Sequence, residues 1–173
     1  MAIPALARDF KEFLKSLNSN RVEYLLIGGY AVGIYGHIRA TNDLDIWVKV
    51  SAENAVRIER ALGEFGFAAA GLTCDLFLAP NNVIRMGVPP IRVEILTSIS
   101  GVEFESCYAE KETIQIEEMV VPVISLARLR ENKAASARAK DLADLENLPD
   151  ATAATVTPYV ARPYGPRGND GEK

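Results

Sequence analysis

The sequence predicts an α/β (α+β) protein in which one mixed sheet is flanked by helices. Helical and strand-like patterns alternate along the chain, which is typical of this class. The 173 residues are 49% hydrophobic, which suffices for one buried core. Two strand-like segments each have one wholly apolar face. We therefore expect one domain over residues 1–148 and, where prolines and glycines accumulate, a disordered tail over 149–173.

The first half of the chain predicts five elements. A stripe of apolar residues at helical spacing predicts a helix over 4–17. An apolar run predicts an internal strand over 23–27, and the glycine-containing segment after it, 29–36, predicts a short helix. Apolar alternation predicts a strand over 43–50. A second apolar stripe, ended by a glycine, predicts a helix over 52–65.

The second half predicts short strands followed by two helices. The candidate strands are 76–78, 83–86, 91–96, 114–116 and 120–123, with a turn at 87–90 and a helical turn at 103–110. Ser125 is a suitable N-cap for a helix that runs to about residue 137. The last helix is expected over 140–148, with three residues facing the core: Leu142, Leu145 and Leu148. The charged residues expected to hold this helix by ion pairing are Lys140, Asp141 and Asp144.

Composition and charge exclude several functions. The net charge of -4 argues against a broad nucleic-acid-binding surface. No uncharged run reaches the about 20 residues that cross a membrane, and charges within the first apolar stretch exclude a signal peptide. Cys74 and Cys107 have no metal-ligand spacing and are expected to be free thiols. We therefore expect a cytoplasmic protein with no membrane partner.

Two aspartates and a glutamate are the main candidates for a functional site. In the strand over 43–50, Asp43 and Asp45 share one face and lie roughly 6.5 Å apart. Glu94 lies on the corresponding polar face of the strand over 91–96. If these strands are neighbours, three carboxylates converge and need a counter-charge such as Mg²⁺. The alternative is that both aspartates lie on a solvated sheet face.

The Gly28-Gly29 pair follows a strand and opens a helix. Without Cβ atoms, the backbone N–H groups can approach a phosphate, and a helix N-terminus favours negative charge. The alternative is an ordinary tight turn. The order of strand, glycine pair, short helix and Asp43-Leu44-Asp45 favours the phosphate site.

These motifs resemble the nucleotidyltransferase superfamily, which includes DNA polymerase β-like enzymes. Its signature is a hydrophobic residue, Gly-Gly or Gly-Ser, about 9–13 residues and then Asp-hydrophobic-Asp/Glu, with a third carboxylate on a later strand. Here Ile27-Gly28-Gly29 is followed by 13 residues and Asp43-Leu44-Asp45. The stretches over 39–45 and 129–144 also resemble small bacterial proteins of the abortive-infection toxin type. The resemblance covers about residues 21–148.

The resemblance implies Mg²⁺-dependent transfer of a nucleoside monophosphate from an NTP, such as ATP, to an acceptor hydroxyl. Two Mg²⁺ ions would be held by the catalytic residues Asp43, Asp45 and Glu94, and Glu94 would serve as general base or metal ligand. The residues that would bind the nucleotide are Gly28, Gly29, Arg39, Thr41 and Lys133. The acceptor would be RNA such as tRNA, a protein or a small molecule, and the toxin-type likeness implies a toxin–antitoxin component. The third carboxylate is often Asp in the superfamily, and Asp75 is the alternative to Glu94.

Four side chains have two interpretations each. Lys133 shares the inward stripe of its helix, so it either extends to the surface or binds an anion, and we favour a phosphate. Arg39 and Arg92 bind either a phosphate or one of the acids Asp43 and Glu94. Trp47, on the acidic face, either stacks on a base or packs within the sheet.

Two other functions fit the same acidic residues. A relative of this fold could bind a nucleotide or a partner without turnover, because fold does not determine function. Metal-dependent phosphoester hydrolysis would use the same carboxylates, but it explains Gly28-Gly29 less well.

Overall fold

A computed structural model describes residues 6–67 and 71–152. Within these ranges, the helices are α1 (Arg8–Ser19), α2 (Gly28–Ile34), α3 (Ala52–Phe65), α4 (Phe104–Ala109), α5 (Leu126–Ser136) and α6 (Ala139–Asn147), with a 3₁₀ helix at Cys74–Phe77. The strands are β1 (Tyr24–Ile27), β2 (Asp43–Val48), β3 (Val83–Val88), β4 (Ile91–Leu96), β5 (Glu112–Ile116) and β6 (Met119–Val123). None of the helices in this part of the chain has the length and apolar character needed to span a membrane. From position 153 onward, the predicted tail lies outside the described residues.

The six strands form one mixed sheet in the order β3-β4-β2-β1-β6-β5. Strand β2 runs parallel to β4 and antiparallel to β1, and β1 runs parallel to β6. The outer pairs, β3–β4 and β5–β6, are antiparallel hairpins. All four residues of β1 are buried, which agrees with the internal position predicted for this strand. The sheet therefore places β2, with its two aspartates, between β1 and β4.

The core determines which face of β2 is available for chemistry. Its alternate residues Leu44, Ile46 and Val48 are fully buried. Burial of each such side chain stabilises the fold by about 1.5–3 kcal/mol. Because strand side chains alternate, this burial leaves the opposite face to Asp43 and Asp45.

Local sequence sets the ends of two helices. Ser51 Oγ accepts a hydrogen bond from the Asn54 backbone N–H at the start of α3, and Gly66 ends this helix with a φ of 105°. Ser125 Oγ accepts a hydrogen bond from the Arg128 backbone N–H at the start of α5. The predicted cap at Ser125 is thus confirmed.

The structure also corrects several element predictions. Helix α1 begins at Arg8 rather than at position 4, and residues 1–5 lie outside the described part of the chain. The strand predicted over 76–78 is wrong, because the chain there forms the 3₁₀ helix and its end. Gly87 and Val88 belong to β3, so the turn predicted at 87–90 is reduced to the two prolines.

The inward face predicted for the last helix is partly wrong. Leu148 is buried as expected, but Leu142 is 48% exposed. Asp141 and Asp144 are buried in its place, at 0% and 1% exposure. Apolar spacing alone missed this arrangement because ion pairs, described below, hold the two aspartates inward.

Candidate active site

The turn between β1 and α2 requires glycine at its first position. Gly28 has a φ of 66°, in the left-handed region that favours glycine. A Cβ atom at this position would lie 2.0 Å from Asp45 Oδ2. The register of β1 and β2, which pairs Ile27 with Asp45, explains this close approach. The absence of a side chain at Gly28 therefore lets the Asp45 carboxylate lie against the backbone of the turn.

The second glycine borders two other residues predicted to bind the nucleotide. A Cβ atom on Gly29 would lie 2.7 Å from Thr41 Oγ1 and 3.2 Å from Arg39 Nη1. Thr41 Oγ1 also donates a hydrogen bond to the backbone oxygen of Asp43, at 3.3 Å. The segment before β2 thus folds against the first turn of α2. Four of the five predicted nucleotide-binding residues are brought together here, beside the β2 aspartates.

The predicted carboxylates lie on neighbouring strands with matching faces. The parallel register of β2 and β4 pairs Asp45 with Glu94, and Asp43 with Arg92. The expected proximity of these two strands is therefore confirmed. Asp75, the alternative third acid, lies instead on the 3₁₀ helix, which packs against α3.

Two arginines neutralise part of this acidic face. Arg92 donates hydrogen bonds from Nε and Nη2 to the two carboxylate oxygens of Asp43, at 2.8 and 2.9 Å. Its Nη2 atom also lies 3.5 Å from Glu94 Oε1. Arg85, on β3, donates a hydrogen bond from Nε to Glu94 Oε1 at 2.8 Å. Sequence reasoning missed Arg85, although pairing the 83–88 and 91–96 segments as a hairpin would have placed it opposite Glu94.

The negative charge of Asp45 is less well neutralised by neighbouring cations than the charge of Asp43, which is paired with Arg92. Burial, followed by the negative charges of Glu94 and Asp43, raises the pKa of Asp45 to about 7. The positive charge of Lys140 lowers this pKa, whereas a hydrogen bond with Glu94 favours the protonated form. Near neutral pH the carboxyl group is therefore divided between its charged and neutral forms, and a nearby cation would favour the charged form.

The donor set fits a divalent cation in an open site. Mg²⁺ is usually held by one or two carboxylates, and phosphate and water oxygens complete its coordination. Within residues 6–67 and 71–152, no three acidic, histidine or cysteine side chains are arranged so that they could hold a metal ion by themselves. The Asp45 carboxylate nevertheless lies against the bare backbone of Gly28 and beside Glu94, with negative charge to be balanced. Asp45, Asp43 and Glu94 are thus the residues that would hold such an ion.

The inward stripe of α5 ends in a buried cluster of charges. Lys133 is 3% exposed, which confirms that it faces inward. Its ammonium group donates a hydrogen bond to Asp141 Oδ1 at 2.8 Å and lies 3.0 Å from Asp144 Oδ2. Both carboxylates belong to α6. In this structure the anions that Lys133 binds are therefore these two aspartates.

Arg39 joins the same cluster from the segment before β2. Its Nε and Nη2 atoms donate hydrogen bonds to the two carboxylate oxygens of Asp144, at 2.6 and 2.9 Å. Burial alone would raise the pKa of Asp144, but the hydrogen bonds from Arg39 and Lys133 lower it. The acid that pairs with Arg39 is thus Asp144, and the acids expected for it, Asp43 and Glu94, pair with Arg92. This ion pair connects α6 to the residues that border Gly29.

The start of α6 lies close to the acidic site. Arg138 donates a hydrogen bond to Asp141 Oδ2 at 2.7 Å. This bond raises the pKa of Arg138, and the charges of Asp45 and Glu94 contribute to the same effect. The expectation that Asp141 and Asp144 hold the last helix is confirmed. Arg138, which is exposed as Lys140 is, pairs with Asp141 in place of Lys140.

Trp47 is part of the packing of the sheet. Its side chain is 2% exposed, and its ring meets the ring of Phe104 edge-on, with centroids 5.2 Å apart. The packing interpretation is therefore confirmed, and the base-stacking interpretation is wrong.

The fold is that of a nucleotidyltransferase. A "putative nucleotidyltransferase" from Thermotoga maritima has a similar crystal structure, with a TM-score of 0.57 and 18% sequence identity. The match covers 85% of this chain and 94% of that chain. At this identity the likeness shows the fold alone. A comparison with curated protein sequences finds no match.

The sequence also identifies the family. The profile described as aminoglycoside-2''-adenylyltransferase matches residues 9–148, which run from α1 through α6. The chain belongs to this family of nucleotidyltransferases. The predicted class of enzyme is therefore confirmed, and family membership implies an NTP substrate.

Proposed function

We propose that the protein transfers AMP from ATP to a hydroxyl group of an aminoglycoside-like small molecule, in a reaction that depends on Mg²⁺. The observation that best supports this proposal is the position of Asp45 between the Gly28 backbone and Glu94. In this position Asp45 connects the Gly28-Gly29 turn, which is suited to binding phosphate, with β2 and β4, the strands that supply the carboxylates. The family name supports ATP as the donor and an aminoglycoside as the acceptor.

The proposed chemistry is an in-line displacement at phosphorus. The acceptor oxygen forms a bond to the α-phosphorus of ATP, the bond from this phosphorus to the bridging oxygen breaks, and pyrophosphate leaves. Glu94 accepts the proton of the acceptor hydroxyl. Asp43 and Asp45 would hold Mg²⁺, which when bound neutralises charge on the phosphate oxygens.

The glycine turn has a separate role in this proposal. Gly28 and Gly29 leave the backbone of the first turn of α2 without side chains, so that its N–H groups can bind the triphosphate. Thr41 and Arg39 border this turn, and the Arg39–Asp144 ion pair holds them there. Lys133 supports the same arrangement from within the buried cluster.

The charge of the protein favours a cationic acceptor over a nucleic acid. The chain carries 23 acidic and 19 basic residues. An acidic protein attracts a polyamine-like acceptor and repels the phosphates of RNA. The tRNA acceptor and the toxin–antitoxin role that the resemblance implied stay predictions, and growth arrest on expression would support the latter.

A transfer assay tests the proposal. Purified protein would be incubated with Mg²⁺, ATP labelled at the α-phosphate and, in separate reactions, a panel of aminoglycosides or total tRNA. We expect labelled aminoglycoside, and loss of about 100-fold or more of the rate in an Asp45→Asn variant. The matched control is Asp75→Asn, which removes an acid on the 3₁₀ helix and should leave the rate unchanged. Label on tRNA alone would contradict the acceptor, and full activity of Asp45→Asn would contradict the site.

A second candidate function is nucleotide binding without turnover. The pairing of Arg92 with both oxygens of Asp43 favours it, because catalysis needs that carboxylate free to bind a metal. Thermal stabilisation by ATP, without label transfer to any acceptor, would support this function. Release of AMP alone, abolished in Asp45→Asn, would indicate phosphoester hydrolysis instead.

A further inference from the structure

Arg92 is hydrogen-bonded to the carboxylate of Asp43, one of the residues to which the proposed function assigns a metal ion. Its Nε and Nη2 atoms donate to different oxygens of Asp43, so both oxygens accept a hydrogen bond from one guanidinium group. The same Nη2 atom lies 3.5 Å from Glu94 Oε1. One fixed positive charge thus lies between two of the three acids.

The sheet register places Arg92 in this position. Arg92 and Glu94 are two residues apart on β4, so they share a face, and the parallel pairing with β2 puts Arg92 opposite Asp43. The planar guanidinium matches the two oxygens of a carboxylate, and such paired hydrogen bonds are stronger than bonds between neutral groups. A metal ion that coordinates Asp43 must therefore displace at least one of these bonds.

Arg85 provides an internal comparison. It lies on β3 opposite Glu94 and carries the same charge on the same face of the sheet. Its contact with Glu94 is a single hydrogen bond, and its side chain is 61% exposed, against 32% for Arg92. It makes no hydrogen bond to Asp43 among the described residues. Removal of either arginine changes the local charge equally, but only removal of Arg92 frees Asp43.

We propose that Arg92 is an internal competitor of the divalent cation: it holds Asp43 while the cation is absent and releases it when the cation binds. This inference rests on the proposed function, because that proposal assigns the metal to Asp43. The competition weakens metal binding to the free protein and keeps Asp43 paired until the ion arrives.

Metal titration without nucleotide tests this inference. The affinity for Mn²⁺ would be measured at pH 8 by electron paramagnetic resonance for the wild type, Arg92→Gln and Arg85→Gln. We expect Arg92→Gln to bind Mn²⁺ about tenfold more tightly than the wild type, since a hydrogen-bonded charged competitor has been removed. Arg85→Gln should change the affinity by less than about threefold, as expected for an exposed pair.

Three results would overturn the inference. They are equal tightening in both variants, unchanged or weaker binding in Arg92→Gln, and no Mn²⁺ binding by either the wild type or Arg92→Gln at millimolar concentration. If Arg92→Gln does not fold, Arg92→Lys replaces it in the titration. The lysine side chain cannot donate to both oxygens of Asp43 as the planar guanidinium does, so the Arg92→Lys protein should also bind Mn²⁺ more tightly than the wild type. If the Mn²⁺ affinities do not follow the expected order but the protein still transfers label from ATP to an aminoglycoside, only the inference about Arg92 is overturned. Absence of transfer with the expected order of affinities overturns only the proposed function.

Discussion

Replacement of Gly28 by alanine tests the central feature of the site, the contact between the turn and Asp45. Gly28 has a φ of 66°, and a Cβ atom there would meet Asp45 Oδ2 at 2.0 Å. Ordinary contacts begin at 3.4 Å, so the oxygen would have to retreat by about 1.4 Å, the difference between these two distances. The substitution therefore combines backbone strain with displacement of the carboxylate.

The two contributions can be separated in magnitude. A left-handed backbone costs a residue with a Cβ atom roughly 1–2 kcal/mol. A steric overlap in a packed site adds typically about 1–3 kcal/mol. We expect Gly28→Ala to lower the free energy of unfolding by about 3 kcal/mol. Gly71 is the matched control, because its φ is 68° and no atom of the described residues lies within 4 Å of the position of its Cβ. Gly71→Ala should cost only the strain, about 1 kcal/mol.

Urea denaturation of both variants provides the measurement, and Mn²⁺ affinity provides a second readout. We expect Gly28→Ala to lose both stability and metal affinity, whereas Gly71→Ala keeps the affinity of the wild type. Equal losses of stability in the two variants, with metal affinity retained in both, would refute the reasoning. That outcome would mean that the Asp45 carboxylate does not depend on the glycine backbone for its position.

Three further predictions concern the charged groups and the orientation of α6. Lys133→Met removes the buried cation that Asp141 and Asp144 share, although Arg138 and Arg39 still pair with them, so it should lower the free energy of unfolding by about 1.5–3 kcal/mol in urea titrations; a loss below about 1 kcal/mol would contradict this role. The pKa of Asp45 is about 7 in the folded protein and about 3.9 when unfolded, so the folded state holds the extra proton between these values. Stability should consequently fall as the pH rises from about 4 to about 7, and urea titrations of Asp45→Asn should show that this slope is reduced. Leu142→Ser changes an exposed residue, so it should alter the free energy of unfolding by less than about 0.5 kcal/mol, as measured by thermal unfolding. A large loss would indicate that Leu142 faces the core, as the leucine spacing predicted.

The position of the acidic site was predictable because the alternation of side chains along two strands, β2 and β4, determines it. Alternation along β2 and β4 defines the faces that carry Asp43, Asp45 and Glu94. Buried apolar residues on the opposite faces fix the register, since a shift by one residue would expose them. The glycine pair supplied the third constraint, because few other features end an internal strand in this way.

The sequence offered the pairing of Arg92 with Asp43 only as one of two interpretations, and it did not predict the pairing of Arg39 with Asp144, because such pairs depend on contacts between distant segments. The Arg39–Asp144 pair joins residues 105 positions apart, and the Arg92–Asp43 pair joins residues 49 apart. Leucine spacing at the last helix predicted the inward face only in part, since a periodic pattern does not show which charged residues find buried partners. The same limit applies to Arg85, whose role requires the pairing of β3 with β4.

The buried cluster around Lys133 is better explained by positioning than by stability. A buried ion pair costs much of its favourable energy in desolvation, and well-packed apolar residues often replace such pairs without loss. Lys133, Asp141 and Asp144 are nevertheless almost fully buried, at 3%, 0% and 1% exposure. The directional bonds of Arg39 to Asp144 join α6 to the segment that contacts Gly29, which nonspecific apolar packing would not orient. We therefore infer that α6 positions the glycine turn through the ion pair between Asp144 and Arg39. By this argument α6 contributes to the site as β1 and β2 do.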